Sequence, residues 1–340
     1  MAGKSNKMVE LDWIRGLSAL LIVLYHYTAR YQEVIGHIIE YPITISWGCS
    51  AVNVFFFLTG FLTAHTMNQR ITPPIFLRKR ITRLYPTYWV CIIITTIVTT
   101  FFFKLYAPSS STVLINVTMF QGFLGVRNVD GVYWTLQYEL HFYIFVLAVL
   151  FLKGNKYSNL RLLSLIWLSI AMLLAGLLTL HFSDCGHITI LIGKAIMLKY
   201  CPPFIGGVLV HSLKQQKSDF WAYLGLAICF VVSFLVQPFD YFLAFVAVSF
   251  LVLILSLRKS DFNALLKQIF IPFSFLAKIS YPLFLLHQYI GWTIIYYMEH
   301  KYNMIGEIWV FIPIIFVIFL AGIIHFYVEQ PLLKIFKRDK

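Results

Sequence analysis

The chain has 340 residues, of which 60% are hydrophobic and 12% carry a formal charge. About a quarter of the residues of an ordinary soluble domain are charged, and here the apolar residues fall into long blocks, so the composition excludes a soluble globular protein. The net charge of +13 would suit a nucleic-acid-binding protein, but the distribution of that charge argues against this class.

Stretches of roughly 20 mainly apolar residues predict a polytopic all-α membrane protein with about ten transmembrane helices. In chain order they lie near residues 12–29, 46–66, 85–104, 132–152, 160–180, 188–210, 220–237, 240–257, 275–298 and 307–328. The connections between them are short. We therefore expect a single membrane domain over residues 1–340, with no soluble appended domain.

The basic residues are concentrated in alternate connections, beginning with the N-terminal segment. They are Lys4, Lys7, Arg15, Arg70, Arg78, Lys79, Arg80, Arg83, Lys153, Lys156, Arg161, Lys214, Lys217, Arg258, Lys259, Lys267, Lys278, Lys334, Lys337, Arg338 and Lys340. The opposite connections hold only Arg30, Lys104, Arg127 and Lys301, while Lys194 and Lys199 fit neither group. This is the positive-inside pattern, and it predicts that both termini are cytoplasmic.

The first predicted span, "LDWIRGLSALLIVLYHY", carries two side chains that are costly in a bilayer. Arg15 and His26 are eleven positions apart, which places them on one helix face about 16 Å from each other. Taken alone, Arg15 is explained as an anchor at the membrane boundary, where its side chain reaches the lipid headgroups. A histidine near mid-depth is more often part of a pathway or site, although a structural hydrogen bond to another helix is the alternative.

Several motifs in order along the chain resemble the acyltransferase-3 family of integral membrane acyltransferases, which modify cell-envelope carbohydrates. The first is the spacing of Arg15 and His26. The others are "GCSAVNVFFFLTGFLTA", with Gly48, Phe56, Gly60 and Phe61; "FLRKRITRLYPTYW", with Arg80 and Arg83 ahead of Pro86; "YWTLQYELHFY", with Thr135 in place of the usual serine and with Glu139; "KISYPLFLLHQ"; and "HFYVEQPLLK". The resemblance covers nearly the whole chain. Some relatives carry an extracytoplasmic hydrolase-like domain, which this sequence lacks, so we expect acyl transfer to finish in the membrane domain or to continue on a separate protein.

The predicted topology brings three titratable groups to a similar depth. Glu139 lies about 10 Å below the outer start of the fourth span, and His287 lies about 18 Å above the inner start of the ninth. Together with His26 they fall in the central or outer-central layer, and we predict them as the catalytic residues. A structural hydrogen bond to another helix, for example to a tyrosine or tryptophan, is the alternative for Glu139, and a similar bond is the alternative for His287. His325 and Glu329, near and beyond the inner end of the tenth span, are expected to be interfacial structure, and His65 and His141 are weaker candidates still.

The resemblance implies acyl-coenzyme A as co-substrate, with acetyl the expected acyl group and no permanently bound cofactor. Arg80 and Arg83 are neighbours on a helix face and, with Arg15, would bind the phosphates of the donor. The positive-inside rule alone would also place arginines there. His26 would act as general base, or would itself carry the acyl group. The acceptor is expected to be an envelope carbohydrate or lipid-linked glycan, with membrane lipid as the other partner and no nucleic acid.

Two other functions remain open at this stage: a proton-coupled carrier or polysaccharide exporter, and a non-catalytic partner in an envelope-synthesis complex. Paired broken spans, which would favour a carrier, are not evident. Five cysteines without CxxC spacing predict neither a metal site nor a disulfide framework. The external connection near residues 105–131 is the longest and is expected to contribute to acceptor choice. The family implies a multi-pass protein of the bacterial inner, or cytoplasmic, membrane.

Overall fold

The computed structural model describes residues 9–67, 71–153, 157–180, 193–258 and 268–338. Among these residues the regular structure is helical and no strand occurs. This agrees with the chemistry of a lipid environment, in which a helix satisfies its backbone polar groups within one segment. The helices and their bounds are α1 Val9–Tyr25, α2 Tyr31–Val34, α3 Ala51–Met67, α4 Pro73–Phe102, α5 Ser110–Asn116, α6 Trp134–Lys153, α7 Tyr157–Leu180, α8 Cys201–Gln215, α9 Phe220–Val236, α10 Phe239–Leu257, α11 Ile271–Tyr302, α12 Phe311–Ile324 and α13 Gln330–Arg338.

Six helical segments among the described residues are long and apolar enough to cross a bilayer. They are Ser46–Met67, Pro73–Phe102, Gly131–Leu152, Ser158–Leu178, Phe239–Leu257 and Glu307–Ile335, and Phe220–Val236 is a shorter apolar helix. The first part of the predicted span 188–210 lies outside the described residues, as do Lys4, Lys7, Arg70, Lys156, Cys185, Lys259, Lys267 and Lys340. Over the residues it describes, the structure is thus all-helical, with several helices long and apolar enough to span a membrane, while the count of ten stays a prediction.

The chain forms two compact units. Unit 1 combines Met1–Cys49, Arg78–Gln137 and Ala264–Lys340, and unit 2 combines Ser50–Leu77 with Tyr138–Asn263. Unit 1 therefore contains α1, most of α4, α11 and α12, while unit 2 contains α3, most of α6 and the helices from α7 to α10.

In unit 1 the core is built on a parallel pair of helices, α1 and α11. The Trp13 ring stacks on Phe270 at a centroid distance of 4.6 Å, near the start of both helices. A Cβ atom on Gly16 would lie 1.9 Å from the Phe273 carbonyl oxygen, so the two backbones touch there. Farther along, Tyr27 packs against Gly291. Later residues of the α1 segment thus contact later residues of the α11 segment, and the two helices therefore run in the same direction.

In unit 2 a second parallel pair is formed by α3 and α8. Phe56 stacks on Phe204 at 4.6 Å, and the ring of His65 lies 5.8 Å from that of His211. Between these contacts, a Cβ atom on Gly207 would lie 2.1 Å from the Phe57 carbonyl oxygen. Close backbone approach through small residues is the usual way in which membrane helices pack, because lipid offers no hydrophobic drive to associate.

A polar cluster closes the end of unit 2 where α9 begins. The Asp219 carboxylate caps α9 by accepting from the Ala222 N–H, and it also accepts hydrogen bonds from Arg161 and from the Ser212 hydroxyl. Burial raises the pKa of Asp219, but the Ser212 hydroxyl and the Arg161 charge outweigh it and leave the pKa below its usual value. This carboxylate joins three helices and is structural.

Candidate active site

His26 lies where α1 gives way to a π-helical turn, His26–Arg30. π-Helices occur mostly as single turns inside α-helices, and such turns are frequent at functional sites. The His26 ring is half-buried, and its Nδ1 atom lies 3.0 Å from the Ile22 carbonyl oxygen one turn earlier. The local backbone therefore fixes one nitrogen of this ring.

His287 comes from the middle of α11 and meets His26 across 261 positions of sequence. Its side chain is fully buried. The Nε2 atom lies 3.2 Å from His26 Nδ1, the two rings are arranged edge to face at 4.7 Å, and Nδ1 lies 2.9 Å from the Phe284 carbonyl oxygen. The structure thus brings together two of the three residues predicted as catalytic.

The protonation of this pair follows from its neighbours when both rings are neutral. A carbonyl oxygen only accepts, so His287 carries its proton on Nδ1 and donates to Phe284, which leaves Nε2 as an acceptor. The donor between the rings is then His26 Nδ1–H, shared between His287 Nε2 and the Ile22 carbonyl. A neutral imidazole has one N–H, and therefore His26 Nε2 keeps its lone pair. Among the described residues nothing hydrogen-bonds to that nitrogen.

The backbone around His26 is held by hydrogen bonds to α11 and to the loop after the π turn. Trp292 Nε1–H donates to the His26 carbonyl at 2.8 Å, and the Tyr27 hydroxyl donates to the His287 carbonyl at 2.8 Å. His37 Nε2–H donates to the Tyr27 carbonyl at 3.0 Å. Three hydrogen bonds therefore link the π turn, the loop after it and α11.

His37 is itself fixed by an acid of α11. Its Nδ1 atom lies 2.6 Å from Glu299 Oε1, which also accepts from the Tyr41 hydroxyl at 3.2 Å. Glu299 is 3% exposed, and together with Trp309 it lines a cavity of about 10 Å³. A cavity of this size has room for about one water molecule and none for a substrate. The His37–Glu299 pair is therefore part of the support of the site and not a binding pocket.

Sequence reasoning missed Tyr27, His37, Trp292 and Glu299. Glu299 falls immediately after the predicted ninth span, which ended at residue 298, so it was not counted as a buried acid. It follows Trp292 by seven positions, which is two helix turns, and the two therefore share a face. That spacing was the available signal, but the hydrogen bonds themselves join distant segments.

The predicted donor-binding arginines all belong to unit 1 and are half-buried. Arg15 lies between Trp13 and Gly16, which contact the start of α11 at Phe270 and Phe273. Arg83 precedes Leu84, whose carbonyl accepts from the Tyr281 hydroxyl of α11 at 2.9 Å. Tyr281 lies about 9 Å before His287 along the helix.

Both arginine positions are therefore on the same side of the histidine pair along α11. Arg80 lies one turn before Arg83 on α4, farther from Leu84. The role of Arg15, Arg80 and Arg83 in donor binding stays a prediction.

Glu139 lies in unit 2, on α6, and is half-buried. Its carboxylate accepts a short hydrogen bond from the Tyr143 hydroxyl one turn later. The partner is a tyrosine, but it belongs to the same helix and not to another one. The catalytic role of Glu139 stays a prediction. His325 and Glu329 pair at 2.6 Å within a second π turn, His325–Glu329, and Gln330 adds a third contact.

The external loop before α6 is ordered by its own amides. Asn116 donates to the Arg127 carbonyl and accepts from the Val129 N–H, while the side chain of Gln121 donates to Asn128. Asp130 closes the loop by accepting from the N–H groups of Val132 and, on α11, Tyr289. The loop therefore packs on α11 two residues beyond His287.

Comparison with known proteins agrees with the motifs. Residues 8–327 match the acyltransferase-3 family, described as "Acyltransferase domain", and the chain therefore belongs to this family. "Protein 2 in picA locus" of Rhizobium radiobacter is 35% identical over 88 residues, which are 24% of this chain and 41% of that relative, so the match spans less than half of its length. No solved structure matches the chain. The family and the apolar helices identify a multi-pass membrane protein.

Proposed function

We propose that this protein is a membrane acyltransferase that moves an acyl group from cytoplasmic acyl-coenzyme A to a hydroxyl of an envelope polysaccharide or glycolipid. Acetyl is the acyl group that the family resemblance favours, and the bacterial inner membrane is the proposed location. The observation that carries the proposal is the His26–His287 pair, in which the half-buried His26 keeps an Nε2 lone pair while its Nδ1–H is held by a second imidazole. A base oriented by a third group is the usual arrangement for activating a hydroxyl.

The reaction balances with His26 as a proton shuttle. His26 Nε2 takes the proton of the acceptor hydroxyl as its oxygen attacks the thioester carbonyl carbon. The C–S bond of the tetrahedral intermediate then breaks, and the coenzyme A sulfur takes the proton back from Nε2. While the ring is charged, its Nδ1–H donates more strongly to His287 Nε2, which stabilises the imidazolium.

The donor is proposed to enter from the side of Arg15, Arg80 and Arg83. Support comes from the contacts of these segments with α11. The neighbours of Arg15 and Arg83 contact residues that precede His287 in the chain, so both arginines lie on the same side of the histidine pair. Guanidinium groups bind phosphate with planar, paired donors, and the nucleotide end of acyl-coenzyme A carries several phosphates. The thioester arm would then extend toward His26. The acceptor would approach from the opposite side, where the loop before α6 packs on α11.

The proposed topology has ten spans with both termini in the cytoplasm. The parallel direction of α1 and α11 supports it, because these are the first and ninth predicted spans and should run the same way. The parallel pair α3 and α8 supports it in the same manner, since these belong to the second and sixth predicted spans. The basic residues of alternate connections supply the orientation.

The test is transfer of labelled acetyl from acetyl-coenzyme A in membranes that contain the parent, His26→Ala or His300→Ala at matched expression. His300 is the control because it is an exposed histidine of the same unit. We expect labelled envelope carbohydrate from the parent and from His300→Ala, and none from His26→Ala. Full transfer by His26→Ala would refute the role of His26, and absence of transfer by the parent would refute the acetyl-transfer proposal.

The donor site has its own test in the apparent KM for acetyl-coenzyme A. We expect Arg83→Ala to raise this KM by about tenfold, as loss of one charge-assisted phosphate contact predicts. Arg78→Ala is the matched control, since Arg78 is an exposed arginine of the same helix. An unchanged KM in Arg83→Ala would contradict phosphate binding by this residue.

A further inference from the structure

Two of the four basic residues in the external connections converge on Tyr106. Arg127 Nη2–H donates to the Tyr106 carbonyl at 2.8 Å. Burial raises the pKa of the Tyr106 phenol, and the positive charges of Arg127 and Arg30 oppose that rise. Arg127 belongs to the loop before α6, whereas Arg30 ends the π turn that begins at His26. The His26 carbonyl accepts from Trp292, whose ring lies 5.9 Å from that of Tyr106. We call Arg30, Tyr106 and Arg127 the external cluster.

The external cluster lies next to the histidine pair. The Tyr106 ring is 4.6 Å from the Tyr289 ring and 5.9 Å from that of Trp292. Tyr289 follows His287 by two positions, and Trp292 donates to the His26 carbonyl. Along α11 these contacts are beyond His287, on the side away from Arg15 and Arg83. The cluster is therefore at the face from which the acceptor is proposed to come.

The charge of the cluster is positive. Arg30 pairs with Glu33 at 2.8 Å, and this pair is exposed, with 45% and 52% of the two side chains accessible. The hydrogen bond of Arg127 goes to a carbonyl oxygen, which leaves its charge without compensation. Among the described residues no ion pair joins Arg127 to an acid. Asp130, in the same loop, is fully buried and turned toward backbone N–H groups.

The geometry suits a particular ligand chemistry. Exposed guanidinium groups offer planar donors to an oxyanion, and a half-buried tyrosine offers an apolar ring with a polar edge. Arg30 follows His26 by four positions, which is about 6 Å along a helix and close to the length of one sugar ring. An oxyanion held by the cluster would thus lie about one sugar from the reacting hydroxyl.

We propose that Arg30 and Arg127 bind the carboxylate or phosphate of an anionic acceptor saccharide, whose hydroxyl then reaches His26. This proposal rests on the proposed acyltransferase function and defines the charge class of its acceptor. A carboxylate of a uronic acid and a phosphate on a sugar present the same oxyanion chemistry to a guanidinium. The two sources are separated by the probes of the experiment.

The experiment measures binding and transfer with saccharides that differ only in charge. The probes are a glucuronic acid–glucose disaccharide, the neutral glucose–glucose disaccharide of the same linkage, and that disaccharide phosphorylated on its terminal primary hydroxyl. Binding is followed by ligand-observed NMR with protein in phosphatidylcholine nanodiscs, and transfer by labelled acetyl-coenzyme A. The variants are Arg30→Gln, Arg127→Gln and Arg127→Lys. Lys301→Gln is the control, because Lys301 is an exposed external cation of the same unit.

We expect the parent to bind one charged probe about tenfold more tightly than the neutral one, and whichever charged probe is preferred identifies the oxyanion. Arg127→Gln and Arg30→Gln should each reduce this preference by about threefold, Arg127→Lys should retain part of it, and Lys301→Gln should not change it. Added salt should reduce the preference in the parent, which tests the charge effect without any substitution.

Equal binding of charged and neutral probes by the parent would overturn the proposal, as would an equal loss in Lys301→Gln. Nanodiscs that contain phosphatidylglycerol provide the lipid arm. If anionic headgroups abolish the preference for the charged saccharide, the cluster binds lipid and the acceptor proposal is wrong. Charge-selective binding without acyl transfer would refute the proposed acyltransferase function and support the anionic-saccharide site. Acyl transfer without a preference for charged probes would support the acyltransferase function and refute the anionic-saccharide site.

Discussion

At the level of single residues, the arrangement of His26 depends on which neighbouring groups can only accept hydrogen bonds. The carbonyls of Ile22 and Phe284 are such groups, and they fix the Nδ1–H forms of both imidazoles. In the proposed mechanism, His287 is then the acceptor that would stabilise a charged His26. In most base-assisted sites a carboxylate has this role. Here a neutral imidazole takes it, which avoids a buried negative charge in the membrane.

Replacement of His287 tests this acceptor. The amide oxygen of His287→Gln can still accept from His26 Nδ1–H, but the side chain of His287→Leu cannot. A hydrogen bond to a charged group contributes about 1.5–3 kcal/mol, so kcat for acyl transfer should fall about 10- to 150-fold in His287→Leu and clearly less in His287→Gln. The measurement is kcat at saturating acyl-coenzyme A, with melting temperature as the control for folding. Equal kcat in the two variants would contradict the acceptor role.

Asp130 makes stability depend on pH. It precedes the span that begins at Gly131, and burial raises its pKa from 3.8 to about 7 despite the hydrogen bonds from Val132 and Tyr289. Because the pKa is higher in the folded protein, the stability that this group contributes is complete below about pH 4 and is lost as the pH rises through about 7. The largest difference amounts to about 4 kcal/mol.

The comparison of the parent with Asp130→Asn measures this effect, because asparagine does not titrate. We expect the melting temperature of the parent, relative to Asp130→Asn, to fall steadily from about pH 4 to about pH 7 and to change little above that. Glu307→Gln, which changes an exposed acid of the same unit, should show no comparable trend. A difference between parent and Asp130→Asn that does not vary with pH would show that Asp130 does not titrate in this range.

At the level of secondary structure elements, the π turn after α1 is stabilised from outside the turn. Trp292 binds the His26 carbonyl, and His37 binds the Tyr27 carbonyl while Glu299 holds the other side of its ring. A π turn is rare in isolation, and these contacts provide the partners that its extra residue requires. The orientation of the candidate base is therefore set by α11 and by the loop after α1.

Glu299 is predicted to act on catalysis through His37 and not by contact with substrate. Glu299→Ala should lower kcat by about tenfold, because the hydrogen bond that orients the His37 ring is lost. The KM for acyl-coenzyme A should change little, because Glu299 lies far from the arginines proposed to bind the donor. Glu299→Gln, whose amide group can still hydrogen-bond to His37 Nδ1, should retain more activity. Glu307→Ala serves as the control. A change confined to KM would place Glu299 in substrate binding and contradict the positioning role.

The packing of α1 on α11 depends on Gly16. A methyl group at this position would lie 1.9 Å from a backbone oxygen of α11, which no rotation of a side chain can relieve. Gly16→Ala should therefore destabilise the protein by about 1–3 kcal/mol and lower its melting temperature in detergent. Gly322→Ala is the matched control, because Gly322 is a helical glycine of the same unit with open space at its Cβ position. Equal melting temperatures in the two variants would contradict the close crossing.

At the level of the whole molecule, the two parallel helix pairs limit the possible topologies. Helices that run in the same direction must be separated in the chain by an odd number of intervening spans. For α1 and α11 seven predicted spans intervene, and for α3 and α8 three do. The predicted alternation of spans is therefore compatible with both packed pairs, although each pair lies in a different unit.

Labelling of single cysteines tests the orientation. Ser111 and Ser218 are exposed serines in connections that the topology assigns to opposite sides of the membrane. With the native cysteines replaced, a membrane-impermeant maleimide should label Ser111→Cys in intact cells and Ser218→Cys only after permeabilisation. The reversed pattern would invert the proposed orientation. Labelling of both positions from outside would rule out the ten-span arrangement.

The all-helical class and the family were predictable from the sequence because they depend on composition and on ordered local motifs. Long apolar blocks require helices in a bilayer wherever they occur, and the motif around Arg15 and His26 can be read without knowledge of the packing. The six site residues were chosen on the same basis, by depth and motif. Their assigned roles remain predictions, and the contact between His26 and His287 is what the structure adds to them.

The tertiary structure alone decided which groups hold that pair. Tyr27, His37, Trp292 and Glu299 act through backbone carbonyls and through each other, over separations of up to 266 residues. Hydrogen bonds to a carbonyl leave no residue-specific signal in a single sequence, since every residue has a carbonyl. Arg30 and Arg127 were likewise visible only as scattered external charges. Their convergence on Tyr106 depends on how the loop before α6 packs on α11, and local sequence does not encode that packing.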